Sequence, residues 1–109
     1  AAAAAALDKR GVPRLELEGC SPLLLLEALA LRGCNQVLWE CGPELAAAAL
    51  RDDCVQEIAA VIAPKLMGGL PARTPLGDLG FEHMDQVPGW QALAPASLGT
   101  DLLWRLEQP

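Results

Sequence analysis

Residues 35–46 read Asn-Gln-Val-Leu-Trp-Glu-Cys-Gly-Pro-Glu-Leu-Ala, and this stretch decides the fold. Three consecutive apolar residues, as in a strand that is covered on both faces, end in the carboxylate Glu40. The chain then turns through Gly42 and Pro43 into an alanine-rich helix, because proline suits a first helical position where its missing N–H would be unpaired. The stretch therefore predicts a strand followed at once by a helix.

The same turn predicts a ligand site. Glycine lets backbone come close to a bound group. The free N–H groups of the next helical turn, together with the positive end of the helix dipole, favour an anion. The element thus offers the carboxylate Glu40 to a polar ligand and a cradle for a phosphate. The cradle comprises Gly42, Pro43, Glu44, Leu45 and Ala46.

The residue pattern on either side of this stretch predicts alternating helices and strands. The predicted helices are 1–10, 22–32 and 43–52, and the predicted strands are 14–18, 37–39 and 55–63. Parallel strands joined by right-handed helical crossovers are the economical arrangement for this β-α-β-α-β order. Ligands of such sheets lie beyond the carboxyl ends of the strands, where Glu40 and Gly42 stand.

The pattern changes after Pro64. Residues 64–88 are rich in proline and glycine, and a loop of this length is usually functional or mobile. Its cations Lys65 and Arg73 would either meet phosphates or remain solvated. Segments 90–93 and 102–106 then predict a closing pair of strands, which a short loop makes antiparallel. The expected sheet is therefore mixed.

Composition excludes several classes of protein. The 109 residues are 52% hydrophobic, which predicts a single unit, 1–109, with a modest core. A net charge of −6 with only 8 unclustered basic residues argues against nucleic-acid binding. The longest apolar run, Leu23–Leu26, is too short to cross a membrane.

The four cysteines do not predict a metal or catalytic centre. Cys20, Cys34, Cys41 and Cys54 form no Cys-x-x-Cys pair, and His83 is the single histidine, so zinc is not expected. They are interpreted as reduced thiols. Cys41 borders the candidate site, but a small apolar filler is the preferred interpretation over a nucleophile, and no catalytic residue is assigned.

Four segments together resemble a known family. They are Gly33-Cys-Asn-Gln-Val-Leu-Trp-Glu-Cys-Gly-Pro-Glu-Leu-Ala46, Val55-Gln-Glu-Ile-Ala-Ala-Val-Ile-Ala-Pro-Lys-Leu-Met-Gly-Gly69, Ala72-Arg-Thr-Pro-Leu-Gly-Asp-Leu-Gly-Phe81 and Leu102-Leu-Trp-Arg-Leu106. In this order they resemble the riboflavin-biosynthesis reductases, the C-terminal domain of the bacterial bifunctional deaminase/reductase. The sequence Leu-Trp-Glu-Cys-Gly-Pro resembles that of the cyanobacterial and plastid members of this family.

The resemblance implies a fold and a reaction. The implied fold is α/β, a partial three-layer dihydrofolate-reductase-like arrangement with a parallel β-α-β-α-β core and a C-terminal antiparallel strand pair. The implied reaction is the NADPH-dependent reduction of a ribosylaminouracil phosphate to its ribitylamino product. By position, Glu40 falls on the substrate-binding carboxylate, and Gly42 to Ala46 fall on the turn that holds the cofactor phosphates. The implied location is the cytoplasm, or the plastid stroma in a plant.

Two departures from the family pattern carry consequences. Glu44 stands where the family commonly has threonine or serine, and a carboxylate there would repel a phosphate if it faced one. The resemblance also covers only the later portion of the reductase domain, which predicts a fragment with an incomplete site. The missing strands would leave an open sheet edge and favour a homodimer. A non-catalytic assembly module that kept the scaffold is therefore the alternative function.

Overall fold

The computed structural model describes residues 2–19, 21–70 and 73–109. Three helices come first in the chain: α1 spans Ala2–Lys9, α2 Pro22–Ala30 and α3 Pro43–Arg51. Four strands follow: β1 spans Glu57–Ile62, β2 Gln91–Ala92, β3 Ala96–Leu98 and β4 Asp101–Glu107. A 3₁₀ helix, Met84–Gln86, precedes β2. The class is α/β, as the sequence predicts.

Strand β4 organises the sheet. β1 pairs with one edge of β4 in antiparallel register, from Glu57 opposite Glu107 to Ile62 opposite Leu102. β2 and β3 share the other edge, also antiparallel. Gly99, with a φ of +63°, starts the two-residue turn that joins β3 to β4, a conformation that glycine adopts without steric penalty. The predicted antiparallel closing pair is thereby confirmed, and β3 is an additional strand.

The parallel core is the main correction to the sequence-based prediction. Every strand pairing within the described residues is antiparallel, and neither 14–18 nor 37–39 forms a strand. An apolar run predicts burial, whereas a strand also requires a neighbour whose backbone groups complete its hydrogen bonds. Within the described ranges these two segments have no such neighbour, so they remain irregular.

Helix boundaries follow local chemistry closely. Ser21 caps α2, its hydroxyl accepting a hydrogen bond from the Leu24 N–H at 3.4 Å, and Pro22 occupies the first turn. α3 ends through Asp53, whose φ of +55° allows the Cys54 N–H to bond back to the Ala49 carbonyl at 2.8 Å. α2 ends two residues earlier than predicted, and Ala1, predicted to be helical, lies outside the described residues.

A hydrogen bond joins the segment before α3 to the start of the sheet. The indole N–H of Trp39 donates a hydrogen bond to the Cys54 carbonyl at 3.1 Å, just ahead of β1. Cys54 itself is buried, and burial raises the pKa of its thiol, with Asp52 and Asp53 adding to the effect. The described cysteines 34, 41 and 54 are free thiols, whereas Cys20 lies outside the described residues. Within the described ranges, no helix is long and apolar enough to cross a lipid bilayer.

A charge cluster stabilises the start of β1. Glu57 and Glu107 stand opposite each other in the register, an unfavourable pair of like charges. Arg105 lies between them, its guanidinium 2.6 Å from the Glu57 carboxylate and 3.8 Å from that of Glu107. The hydrogen bond from Arg105 lowers the pKa of Glu57. Arg105 therefore converts a repulsive pair into an attractive cluster.

We expect the variant Arg105→Ala to lose thermal stability in a pH-dependent way. The pKa of Glu57 is lower in the folded chain than in the unfolded chain, so the stabilisation is present above the ordinary glutamate range and is lost as the pH falls through the folded value. The loss in Tm should be largest near neutral pH and should shrink below about pH 4. The control Arg73→Ala removes an exposed charge from a loop; equal losses in both variants at neutral pH would contradict the prediction.

Candidate functional site

The turn before α3 has the local geometry of an anion site. Gly42 is the N-cap residue, with extended backbone (φ −72°, ψ 171°) and no side chain to cap the helix. Pro43 fills the first helical position, and the Ala46 N–H already bonds to the Gly42 carbonyl at 3.0 Å. Helix geometry therefore leaves the N–H groups of Glu44 and Leu45 without an intrahelical acceptor. These donors lie at the positive end of the α3 dipole.

The space in front of the turn is open. A Cβ atom added at Gly42 would meet no atom within 4 Å, so a ligand can approach the backbone there. Glu40 and Glu44 are both exposed, while Leu45 and Ala46 are half-buried. The structure therefore places the predicted residues in one contiguous turn at the start of α3. Their predicted roles in binding stay predictions.

An open groove of about 490 Å³ borders this turn. Leu45 lines it from α3, and Ser21 and Pro22 line it from the start of α2, which packs against α3. The N-termini of both helices consequently border the same space. Leu15 and Leu17, predicted to be on a strand, form an apolar part of the wall. The sequence signal for this pairing is the repeated motif of a capping residue followed by proline, at Ser21-Pro22 and Gly42-Pro43.

The loop after β1 forms hydrogen bonds with both ends of α3. The Gly77 N–H donates to the Pro43 carbonyl at 2.9 Å, and the Arg51 guanidinium donates to the Asp78 carbonyl at 3.0 Å. Both ends of α3 are thus bonded to residues 77–78 of the loop. Part of the segment predicted to be functional or mobile is consequently a support for the helix.

The loop cations are outside the candidate site. Lys65 and Arg73 are exposed, and neither lines the groove beside Leu45. A larger cavity, of about 570 Å³, lies between the end of α3, the sheet and the loop, with Leu50, Ile58 and Trp90 in its wall. It contains none of the residues from Glu40 to Ala46, and its lining is mostly apolar. In the described part of the chain, no group of three or more His, Cys, Asp or Glu side chains is arranged to hold a metal ion.

The chain is an α/β domain whose third helix starts with open backbone N–H donors, and its sequence matches a known family. The RibD C-terminal domain model matches residues 2–103, so the chain belongs to that family. The chain is 45% identical over 98 residues to the riboflavin biosynthesis protein RibD of Synechocystis sp., covering 90% of this chain and 27% of the relative. It is 36% identical to the chloroplastic riboflavin biosynthesis protein PYRR of Arabidopsis thaliana, covering 89% of this chain and 16% of the relative.

A solved structure agrees with this assignment. RibD of Acinetobacter baumannii superposes with a TM-score of 0.77 at 30% identity, covering 94% of this chain and 28% of that protein. The resemblance to the riboflavin-biosynthesis reductases that the four sequence segments indicate is thereby confirmed. The chain spans about a quarter of the RibD proteins named here.

We expect Gly77→Ala to loosen the loop from α3. An added Cβ would lie 3.2 Å from the Pro43 carbonyl oxygen and 3.5 Å from the Ala47 Cβ, closer to the backbone than is normal. The resulting overpacking should cost about 1 kcal/mol in the free energy of unfolding, measured by urea denaturation. The matched control is Gly89→Ala, where an added Cβ meets nothing within 4 Å. Equal free energies of unfolding for the two variants would show that the contact is not tight.

Proposed function

We propose that this chain is part of an NADPH-dependent reductase of riboflavin biosynthesis. The reaction would be the reduction of 5-amino-6-(5-phosphoribosylamino)uracil to the ribitylamino product. Support comes from the uncapped, open start of α3 in a chain that belongs to the RibD C-terminal domain family. Its relatives carry names that refer to riboflavin biosynthesis. The cytoplasm, or the plastid stroma in a plant, is the proposed location.

The residues of the turn fit the phosphates of the cofactor. The N–H groups of Glu44 and Leu45 are donors without an intrahelical acceptor, and Gly42 leaves room for a phosphate to reach them. Gly42, Pro43, Glu44, Leu45 and Ala46 would together hold NADPH at the start of α3. When bound, the nicotinamide supplies the hydride, and the protein supplies position and electrostatics.

Glu40 is the proposed substrate residue. Its carboxylate is exposed two residues before the turn, so it can accept hydrogen bonds from the hydroxyl and amino groups of a ribosylaminouracil phosphate. No residue of this chain is proposed as a proton donor. The role proposed for the chain is therefore to bind and orient, with Glu40 beside the substrate and the α3 start beside the cofactor.

Titration calorimetry with NADPH tests this proposal. Gly42→Asp should abolish saturable binding, because it places a carboxylate in the open space before the helix. Gly89→Asp adds the same charge at an open position in the distant loop and should leave binding unchanged. Glu44→Gln should strengthen binding by up to about fivefold, since it removes a like charge from the first turn.

The calorimetric result separates the two candidate functions. Binding that is lost in Gly42→Asp and kept in Gly89→Asp supports the reductase. Binding that survives in both variants would place the cofactor elsewhere. If the unaltered chain does not bind NADPH, the reductase proposal fails for this chain by itself.

A second candidate function is a non-catalytic assembly module that forms a homodimer. The observation that favours it is the exposed apolar surface of β1, where Val61 and Ile62 are half-exposed. Sheet edges with exposed apolar residues pair readily with other chains. This candidate needs no cofactor and no substrate.

Sedimentation velocity at increasing protein concentration tests the assembly candidate. We expect a dimer that forms through the β1 edge, and Val61→Lys should return it to a monomer, because edge lysines oppose strand pairing. Leu66→Lys, at a fully exposed loop position, is the control and should not change the sedimentation coefficient. A monomer throughout the concentration range would exclude the homodimer.

A further inference from the structure

The cavity at the C-terminal end of α3 has walls from three parts of the chain. Leu50 lies on α3, Ile58 and Leu106 are paired neighbours on β1 and β4, and the loop between 76 and 90 supplies the remaining wall. The cavity volume of about 570 Å³ lies within the range of about 300–1,000 Å³ that is typical of small-molecule sites. A concave space between three walls suits a small molecule better than it suits the broad face of another protein.

Hydrogen bonds hold the rim of this cavity in place. The Arg51 guanidinium donates to the Asp78 carbonyl at 3.0 Å and joins α3 to the loop. The side-chain amide of Gln108 donates to the Asp53 carboxylate at 2.7 Å, and the backbone N–H of Gln108 donates to the Gln56 carbonyl at 3.0 Å. These bonds join the last strand of the sheet to the segment after α3. The cavity is therefore a defined part of the fold, since its walls are bonded to one another.

The wall offers apolar and aromatic surface to an occupant. Phe81 and Val87 line the cavity, and they are 42% and 43% exposed. Trp90 lies in the same wall and is half-buried. Aromatic side chains make favourable stacked or edge-to-face contacts with other rings. Phe81 and Trp90 therefore favour a flat ring system as the occupant, and binding would bury apolar area that is now exposed.

The polar side chains of the wall provide both donors and acceptors without a net charge. Arg51 and Asp53 line the cavity, carry one charge of each sign and are exposed. Gln108 also lines it, and its neutral amide has two N–H donors and one carbonyl acceptor. The bonds at the rim use one N–H of Arg51 and one N–H of Gln108, so further donors and acceptors remain for a ligand. This combination complements an uncharged lactam edge, in which a ring N–H lies beside a ring carbonyl.

We propose that this cavity binds an uncharged, fused heteroaromatic molecule that has a lactam edge. Phe81 and Trp90 contact its rings, and the Gln108 amide bonds to its edge. The cavity contains none of residues 40–46, and it lies at the opposite end of α3 from the proposed cofactor site. The inference therefore goes beyond the proposed reductase activity and does not rest on it.

Lumichrome, an uncharged three-ring compound with a lactam edge, is the probe, and its fluorescence anisotropy measures binding to the chain. We expect saturable binding that excess NADPH does not displace. Phenazine, a three-ring compound without a lactam, competes with lumichrome and serves as the matched ligand. It should bind about fivefold more weakly, which is the effect of about one lost hydrogen bond.

Val87→Trp tests whether lumichrome occupies the cavity. The affinity should fall by about tenfold or more, because the larger side chain takes up space between the walls. The matched control is Val12→Trp, since Val12 is also 43% exposed but does not line the cavity, and it should leave the affinity unchanged. Circular dichroism verifies that both variants fold.

Gln108→Leu tests recognition of the edge. It should weaken the binding of lumichrome about fivefold, because the amide that bonds to the lactam is lost. The affinity for phenazine should not change, since phenazine has no lactam. The control Gln36→Leu alters an exposed glutamine outside the cavity and should affect neither ligand.

Four outcomes would overturn the proposal. The first is the absence of saturable binding, and the second is binding that Val87→Trp leaves intact or that NADPH displaces. The third is an affinity that falls as the protein concentration rises, which would assign the cavity to a second copy of the chain. The fourth is an equal loss of lumichrome and phenazine in Gln108→Leu. Binding that is lost in Val87→Trp and kept in Val12→Trp, with the lactam preference removed by Gln108→Leu, supports it.

Discussion

The pairing of β1 with β4 is the interaction on which the rest of the described structure depends. It is the longest ladder in the sheet, and every other described strand also pairs with β4. The register places Glu57 opposite Glu107, a conflict that Arg105 resolves by bonding to Glu57 and lying near Glu107. Because β1 begins at Glu57, three residues after Cys54, the bond from Trp39 to the Cys54 carbonyl links the helices to this sheet. The position of the candidate site thus depends on this ladder, on the Trp39 bond and on the bonds from Gly77 and Arg51 that join α3 to the loop.

The candidate site itself depends on backbone geometry more than on reactive side chains. Gly42, the N-cap residue of α3, supplies no side-chain cap, so N–H donors are left at a position that a phosphate suits. The Gly77 N–H and the Arg51 guanidinium join the helix to the loop after β1 and limit its movement. A rigid helix start is what a binding site needs if the ligand must be held in one orientation. The proposed function therefore assigns binding and orientation to this chain.

The described residues bury few of their apolar side chains. The buried residues among those described are Pro22, Ala47, Ala49 and Cys54, whereas large apolar side chains such as Leu38 and Ile62 remain exposed. In an ordinary domain of this composition such side chains form the core. The exposure agrees with a radius of gyration of 16.9 Å, which is larger than the roughly 13 Å of a compact domain of this length. The proposed cofactor site follows from the open start of α3 and does not depend on this imbalance.

The sequence by itself determined the features that local chemistry controls. Ser21-Pro22 and Gly42-Pro43 specify where two helices begin, because capping and the absent proline N–H act within a few residues. The four quoted segments, in order, were sufficient to identify the family. Tertiary structure alone decided that 14–18 and 37–39 form no strands, that β3 exists and that Leu15 and Leu45 border one groove. A strand requires a partner that is often distant in sequence, and an apolar pattern indicates burial without specifying that partner.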